Sequence, residues 1–252
     1  VAYHSGDLGD IIAACAVLKT LREATGQRIQ LVLGPKTNPS VRCIGPRLPI
    51  GPERFNFIAP LLRRQRYIEA VFYDSDPPFH DLQSEGFLVP FLDFSTFRQG
   101  AFPPGTTLIA MHAAHVGVGA DAVSLSPWIE AEPIITDTPY SVFIRSPRYR
   151  SGGMDWQRYI DAARCGVFIG HDGEWSDFAA AFRLHDGIRR VVVSDALHAA
   201  RIIAGAATVC CNQTFGFWVS AALGKRTHVE AAAFEDNCNL GLGNITMHYA
   251  GT

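Results

Sequence analysis

The order of apolar and polar positions gives the clearest signal in this chain. Residues 1–4 are short and β-compatible, and Ser5-Gly6-Asp7-Leu8-Gly9-Asp10 reads as a tight turn. From 11 to 25 the apolar positions Ile11, Ile12, Cys15, Leu18 and Leu21 fall at helical spacing, and Gly26 stops the run. Residues 28–33 (RIQLVL) predict the next strand, which completes a β-α-β unit and so a parallel sheet. Residues 34–105 are harder. Pro35, Pro39, Gly45, Pro46, Pro49, Gly51 and Pro52 make the start loop-rich, 55–65 suits a helix, and 70–73 and 107–111 suit strands. Between those strands, 74–80 reads as a polar connection bearing proline.

The second half alternates cleanly. Strands are predicted at 140–145, 167–170, 190–194, 208–211 and, last, 227–230, with helices at 155–164, 174–182, 195–204 and 216–223 between them. Roughly 90 residues of such alternation make one compact α/β domain. The polar, proline-bearing stretch at 132–138 marks the division, giving domains 1–135 and 136–252. Residues 234–244, rich in asparagine and glycine, read as a tail crossing back.

Composition narrows the class. Hydrophobic residues are 48% and charged residues 18%, so a sizeable core is available. A net charge of -2 argues against nucleic-acid binding through bulk charge. The six cysteines (Cys15, Cys43, Cys165, Cys210, Cys211 and Cys238) form no CxxC pair or zinc spacing, which suits a reducing, cytoplasmic setting. His112 and His115 lack a third ligand in sequence, so no metal site is expected. No signal peptide and no apolar run of spanning length stand out. Trp128, Trp156, Trp175 and Trp218 are expected in the core or anchoring helices.

Candidate chemistry gathers at strand-helix junctions. Gly6 and Gly9 let a backbone approach a ligand closely. Asp7 and Asp10 repel anions there, and Asp10 has two readings: a helix-dipole partner, or a base for an acceptor hydroxyl. Arg145-Ser146-Pro147-Arg148-Tyr149-Arg150 follows a strand end, where guanidinium groups can clamp a diphosphate. It can equally be a solvated basic loop. Asn212-Gln213-Thr214-Phe215-Gly216 is a neutral turn that either caps a helix or presents N–H groups to a phosphate. Asp172 or Glu174 could meet a ribose or cap the next helix, and Glu230 ends the last predicted strand. Arg63, Arg64 and Arg66 form a basic cluster, either a solvated face or a surface for an anionic acceptor.

Two segments carry a resemblance. Gly6-Asp7-Leu8-Gly9-Asp10-Ile11-Ile12-Ala13, with Val17-Leu18, resembles the N-terminal segment of the heptosyltransferase-like glycosyltransferases (those related to ADP-heptose:LPS heptosyltransferases). Residues 197–225, ending in Ser220-Ala221-Ala222-Leu223-Gly224-Lys225, resemble their nucleotide-binding segment. Together they cover about a fifth of the chain, at opposite ends and in the family's order. The resemblance implies a GT-B-like α/β fold, two Rossmann-like domains with parallel sheets facing a central cleft. It implies a metal-independent transferase that needs no cofactor beyond its co-substrate, a nucleoside-diphosphate sugar held by the second domain, with the first serving the acceptor. It maps the general base onto Asp10 and the diphosphate cradle onto Asn212, Gln213, Thr214, Phe215 and Gly216, while Arg145, Ser146, Arg148, Tyr149 and Glu174 are donor-binding candidates from their places after strand ends. The chain is short for that family, and Cys15-Ala16-Val17 stands where its helix often has proline, which turns the expectation toward a non-lipopolysaccharide acceptor: a saccharide or a modified nucleic-acid base. The alternatives on the same scaffold are a nucleotide-sugar epimerase and a non-catalytic nucleotide- or sugar-binding module.

Overall fold

The computed structural model describes residues 1–35, 50–75 and 92–251. Pro39, Cys43, Gly45, Pro46 and Pro49 and the 76–80 part of the polar connection lie outside the described residues. The chain divides into two compact units, 1–103 with 108–125 and 104–107 with 126–252. The division falls after Leu125, and the 132–138 stretch runs within the second unit.

The first unit holds a parallel sheet of β1 (Ala2–His4), β2 (Ile29–Leu33), β3 (Ile68–Tyr73) and β4 (Leu92–Asp93), in the order β3-β2-β1-β4. Helix α1 (Leu8–Thr25) starts three residues earlier than its apolar spacing suggested, because Asp7 already takes the N-cap position. Every residue from Gly9 to Leu18 is buried, which explains an apolar stripe broad enough to be nearly all round. Gly26 ends α1 in the left-handed region (φ 68°), its N–H on Arg22 O at 2.9 Å. Helix α2 (Pro52–Arg63) leads into β3.

The expected strand at 107–111 is instead part of helix α3 (Leu108–His115). Leu108, Ile109, His112 and Ala113 are its buried residues, a spacing of one and four that a helix satisfies and a strand does not. A short apolar run does not separate the two by periodicity alone.

The second unit is a six-stranded parallel sheet. Its members are β5 (Ser141–Ile144), β6 (Gly166–Ile169), β7 (Ile188–Val191), β8 (Thr208–Asn212), β9 (Thr227–Ala231) and β10 (Ile245–Tyr249), in the order β10-β9-β8-β5-β6-β7. Counted from β5, this is 3-2-1-4-5-6, the doubly wound Rossmann order. The last strand expected, near 227–230, is therefore not the last: after a 3₁₀ turn (Ala233–Cys238) and the rest of 234–244, the chain pairs in parallel with β9 as β10.

Helices cover both faces. α4 (Trp156–Ala162) and α5 (Asp172–Ala181) lie over one, in a core of Phe143, Trp156, Ile160, Phe168, Phe178 and Ile188. α6 (Ala196–Gly205) and α7 (Phe215–Ala222) contact each other, and α7 meets Ile144, which points opposite to Phe143. Residues 126–138 are laid on this pair: Trp128 and Ile129 N–H donate to Ala222 O (2.9 and 3.2 Å), and Ile134 N–H donates to Arg201 O (3.0 Å). Trp128, Trp156 and Trp218 are buried and Trp175 packs against the core, as expected of the tryptophans. Cys15, Cys210, Cys211 and Cys238 are buried and none of the described cysteines is in a disulfide. Burial pushes the Cys15 and Cys210 thiols up to about 12, so they are inert at neutral pH. Among the described residues no helix is long and apolar enough to cross a membrane.

The contact of α6 with the 132–138 stretch gives a test. A Cβ at Gly205 would run into Ile134 O and the Tyr140 hydroxyl, itself hydrogen-bonded to Ile202 O (2.7 Å). Gly205→Ala is expected to cost about 1–3 kcal/mol in urea unfolding, the usual penalty of overpacking. An unchanged midpoint would show that residues 132–138 do not rest on α6.

Candidate functional site

In a doubly wound sheet ligands bind beyond the carboxyl ends of the strands where the strand order reverses. In the second unit that point lies between β5 and β8. The loop leaving β5 carries Arg145, Ser146, Arg148 and Tyr149, and the turn leaving β8 carries Asn212, Gln213, Thr214, Phe215 and Gly216. Two segments more than sixty residues apart are thus brought side by side, and the side chains show how.

Asn212 is fully buried and ties the two together. Its Oδ1 accepts from Ser146 N–H (3.2 Å), and its Nδ2 donates to Ser146 O (3.0 Å) and Arg148 O. Gln213 Oε1 accepts from Ala232 N–H (2.8 Å), fixing the end of β9. Thr214 is the N-cap of α7, but its hydroxyl donates back to Asn212 O (3.3 Å) and makes no side-chain bond to the first turn. Gly216 packs closely on Ile144, whose side chain would have to shift to admit a Cβ there.

The arginines differ. Arg145 Nε and Nη2 donate to the fully buried Glu230 (2.9 and 3.2 Å), and its guanidinium lies over Trp156 and Phe182. Its loop position suggested a phosphate ligand; the structure gives it a buried partner instead. Glu230 also accepts from Ser151 N–H (3.2 Å), Gly152 N–H (2.9 Å) and Trp156 Nε1 (3.0 Å). Burial alone would raise the Glu230 pKa, but the bonds from Arg145, Gly152 and Trp156 outweigh it and hold the carboxyl below its usual value. Arg148 is exposed, with Nη2 donating to the Tyr149 hydroxyl (2.9 Å). Tyr149 has φ 58°, the one non-glycine in the left-handed region among the described residues, a conformation sustained by a loop pinned on both sides. Arg150 pairs with Asp177 (2.9 Å).

Glu174 stands one strand over, past the end of β6. Its carboxylate accepts from His171 N–H (3.1 Å) and closes a capping box on α5; burial lifts its pKa against the pull of His171. Asp172 pairs with Arg190.

The first unit's reversal point is between β1 and β4, where Gly6, Asp7, Gly9 and Asp10 cluster. Both acids carry an arginine: Asp7 pairs with Arg54 (3.2 Å), and the buried Asp10 with Arg98 (2.8 Å). The like-charge objection to this loop is thereby answered locally. Gly6 N–H donates to His4 Nδ1 (2.8 Å), and a Cβ at Gly6 would sit 2.6 Å from the His4 ring and 3.0 Å from Asp10 Oδ2. His4 and His112 meet through their Nε2 atoms at 3.1 Å, and His112 Nδ1 lies 2.7 Å from Leu108 O. One tautomer set satisfies all three contacts: His4 donates from Nε2 to His112, which donates from Nδ1 to Leu108 O. A proton added to either ring would set N–H against N–H. Burial, then the neighbouring His4, accordingly holds the His112 pKa well below 6.5.

Arg54, Arg98 and the histidine pair escaped the sequence reading because each lies tens of residues from its partner, at no regular spacing. Glu230 was visible only as an acid at a strand end. Asp74-Ser75-Asp76 has the Asp-x-Asp spacing associated with metal-dependent sugar transfer; Asp74 N–H donates to Leu33 O (3.0 Å) at the end of β3, and Asp76 lies outside the described residues.

No family model matches the chain, and no curated protein matches it in sequence. Solved structures match its fold. A glycosyl transferase family 9 protein from Veillonella parvula aligns over 99% of this chain and 85% of its own, with a TM-score of 0.61 and 9% identity. E. coli ADP-heptose LPS heptosyltransferase II aligns over 98% and 88% (TM-score 0.54, 11% identity). E. coli heptosyltransferase WaaC, solved with ADP-2-deoxy-2-fluoro heptose, aligns over 90% and 87% (TM-score 0.55, 14% identity). The chain has the GT-B-like α/β fold of these glycosyltransferases, so the likeness first carried by two segments extends to the fold of nearly the whole chain.

Two pH tests follow from the buried groups. Because His112 has a lowered folded pKa, only the unfolded chain takes its proton, and stability falls as pH drops below about 6.5. His112→Phe is expected to remove up to about 1.4 kcal/mol per pH unit of that slope between pH 6.5 and 5. An identical slope would show that His112 does not titrate with unfolding. Glu230 has a depressed pKa, so its contribution is complete above about 4.5 and fades as pH falls through the folded value. Glu230→Gln is expected to cost about 3–5 kcal/mol at pH 7, the range for orphaning a buried partner, and less below pH 4. An equal cost at both pH values would remove the charge from the explanation.

Proposed function

We propose that this chain is a glycosyltransferase that moves a sugar from a nucleoside-diphosphate donor to an acceptor hydroxyl. The observation that carries the reading is the fold shared, across nearly the whole chain, with glycosyltransferases that include heptosyltransferases. The geometry of the two reversal points fits the roles this needs.

The second unit holds the donor. Its diphosphate lies at the first turn of α7, against the N–H groups of Phe215 and Gly216 and the Thr214 hydroxyl, with Ser146, Arg148 and Tyr149 from the neighbouring loop. Arg145, Asn212, Gln213 and Glu230 act one step back as positioning residues that fix this loop and turn. Glu174 meets the nucleoside at the end of β6, where such sheets bind ribose.

Asp10 in the first unit takes the proton of the acceptor hydroxyl as its oxygen bonds to the anomeric carbon. The bond from that carbon to the diphosphate breaks, and the diphosphate leaves with the electron pair. Arg98 holds the Asp10 carboxylate in place through an ion pair (2.8 Å). Arg148 and the α7 dipole stabilise the leaving diphosphate in place of a metal ion.

The test pairs binding with turnover. ADP, UDP, GDP and their sugar conjugates are screened by thermal shift on wild type, Arg148→Ala and Asp10→Asn. One series is expected to stabilise the wild type by about 2.7 kcal/mol at a hundred times its Kd. Arg148→Ala should lose part of that shift. Asp10→Asn should keep it, while transfer to the acceptor drops by about 10²–10⁴-fold. Donor conversion without acceptor would favour an epimerase, and no shift with any nucleotide would sink the transferase reading.

A further inference from the structure

Away from the β5–β8 reversal point, three side chains from three elements converge on one face of the second sheet. Tyr159 comes from α4, His228 from β9 and His248 from β10. The Tyr159 hydroxyl lies 3.2 Å from His228 Nδ1 and 3.3 Å from His248 Nε2, and the two nitrogens are 3.3 Å apart. All three residues are half-buried, so the site is open to solvent on one side.

Hydrogen bonding accounts for this triangle poorly. A ring nitrogen is either a donor or an acceptor, with one direction in the ring plane, and the phenol has a single proton. Three mutual contacts among these atoms cannot all be well-aligned hydrogen bonds. Three donor atoms at mutual distances of 3.2–3.3 Å match the spacing of ligands around one cation. With metal–ligand bonds of about 2.0–2.1 Å, donor atoms of a tetrahedral site stand about 3.3–3.4 Å apart, the edge length seen here.

We infer that Tyr159, His228 and His248 form a binding site for a divalent transition metal of the zinc class, with a fourth position open to water. Two imidazoles and a phenolate suit a borderline cation better than calcium or magnesium, which want oxygen ligands. On binding, the Tyr159 proton leaves to solvent, and the phenolate offsets one of the two metal charges. Arg158 and Arg226 are near enough to act on His228 electrostatically and oppose a cation there, which the Tyr159 phenolate would offset. The metal would bridge three elements. β10 is an edge strand hydrogen-bonded only to β9, and a metal shared by β9, β10 and α4 staples that edge to the helix whose Trp156 holds Glu230. Among the described residues no three histidine, cysteine, aspartate or glutamate side chains group for a metal, so this site depends on the tyrosine.

The experiment uses the whole chain, stripped with a chelator and titrated with Zn²⁺ in a calorimeter and a thermal-shift assay. One Zn²⁺ per chain is expected, with a rise in Tm. His248→Ala should abolish both, and Tyr159→Phe should weaken binding while preserving the metal-free Tm. Saturating Co²⁺ should give the intense visible band of a tetrahedral site. Failure to bind one equivalent, unchanged binding in His248→Ala, or a weak octahedral Co²⁺ spectrum in the wild type would each overturn the inference. The Co²⁺ spectrum decides even where His248→Ala does not fold.

Discussion

A carboxylate at zero exposure must be paired and hydrogen-bonded, and the partners of Glu230 shape the carboxyl end of β5 and the loop after it. Arg145 meets it from β5, Ser151 and Gly152 from the following loop, and Trp156 from the start of α4. One side chain on β9 thereby fixes the path of the chain from 145 to 156. Asn212 completes the frame by stitching the same loop to the end of β8. With both ends pinned, Tyr149 is held in a backbone region that a loose loop would leave, and Arg148 is carried outward. The residues that look most like ligands in sequence are therefore split by burial: Arg145 and Asn212 build the loop, while Ser146, Arg148 and Tyr149 are the ones it presents.

The first unit solves a similar problem with smaller parts. Its glycine turn is packed against a buried histidine on one side and a buried aspartate on the other, and a side chain at Gly6 would fit neither. Arg98 pairs with Asp10, and burial, then His4, holds the His112 pKa well below its usual value. The aromatic rings of Phe94 and Phe97 stack on those histidines and contribute to the burial that lowers the His112 pKa. Asp10, buried and paired with Arg98, is held in one position in this setting.

Much of this was legible in the residues themselves. The alternation of strands and helices in the second half is a matter of local periodicity, and it placed nearly every element there, as well as the glycine turn, α1 and the Gly26 stop. The turn and loop at the ends of β5 and β8 were also marked by composition: arginines, a serine and neutral amides next to glycine. Fold class followed from β-α-β order, because parallel strands need crossovers and crossovers bring helices to the faces.

Tertiary structure decided what no local pattern encodes. Whether residues 107–111 extend or coil depended on which of them could be buried, and their neighbours chose a helix. That β10 exists at all depends on β9 offering an open edge. The partners of Asp10, Asp7, Arg145 and Asn212 lie 47 to 88 residues away, and the meeting of His228 with His248 needs two strands in parallel register. Periodicity reports which way a side chain faces, since that is set by the backbone within a few residues. Pairing between distant side chains is set by where the chain returns, and only the folded sheet order fixes that.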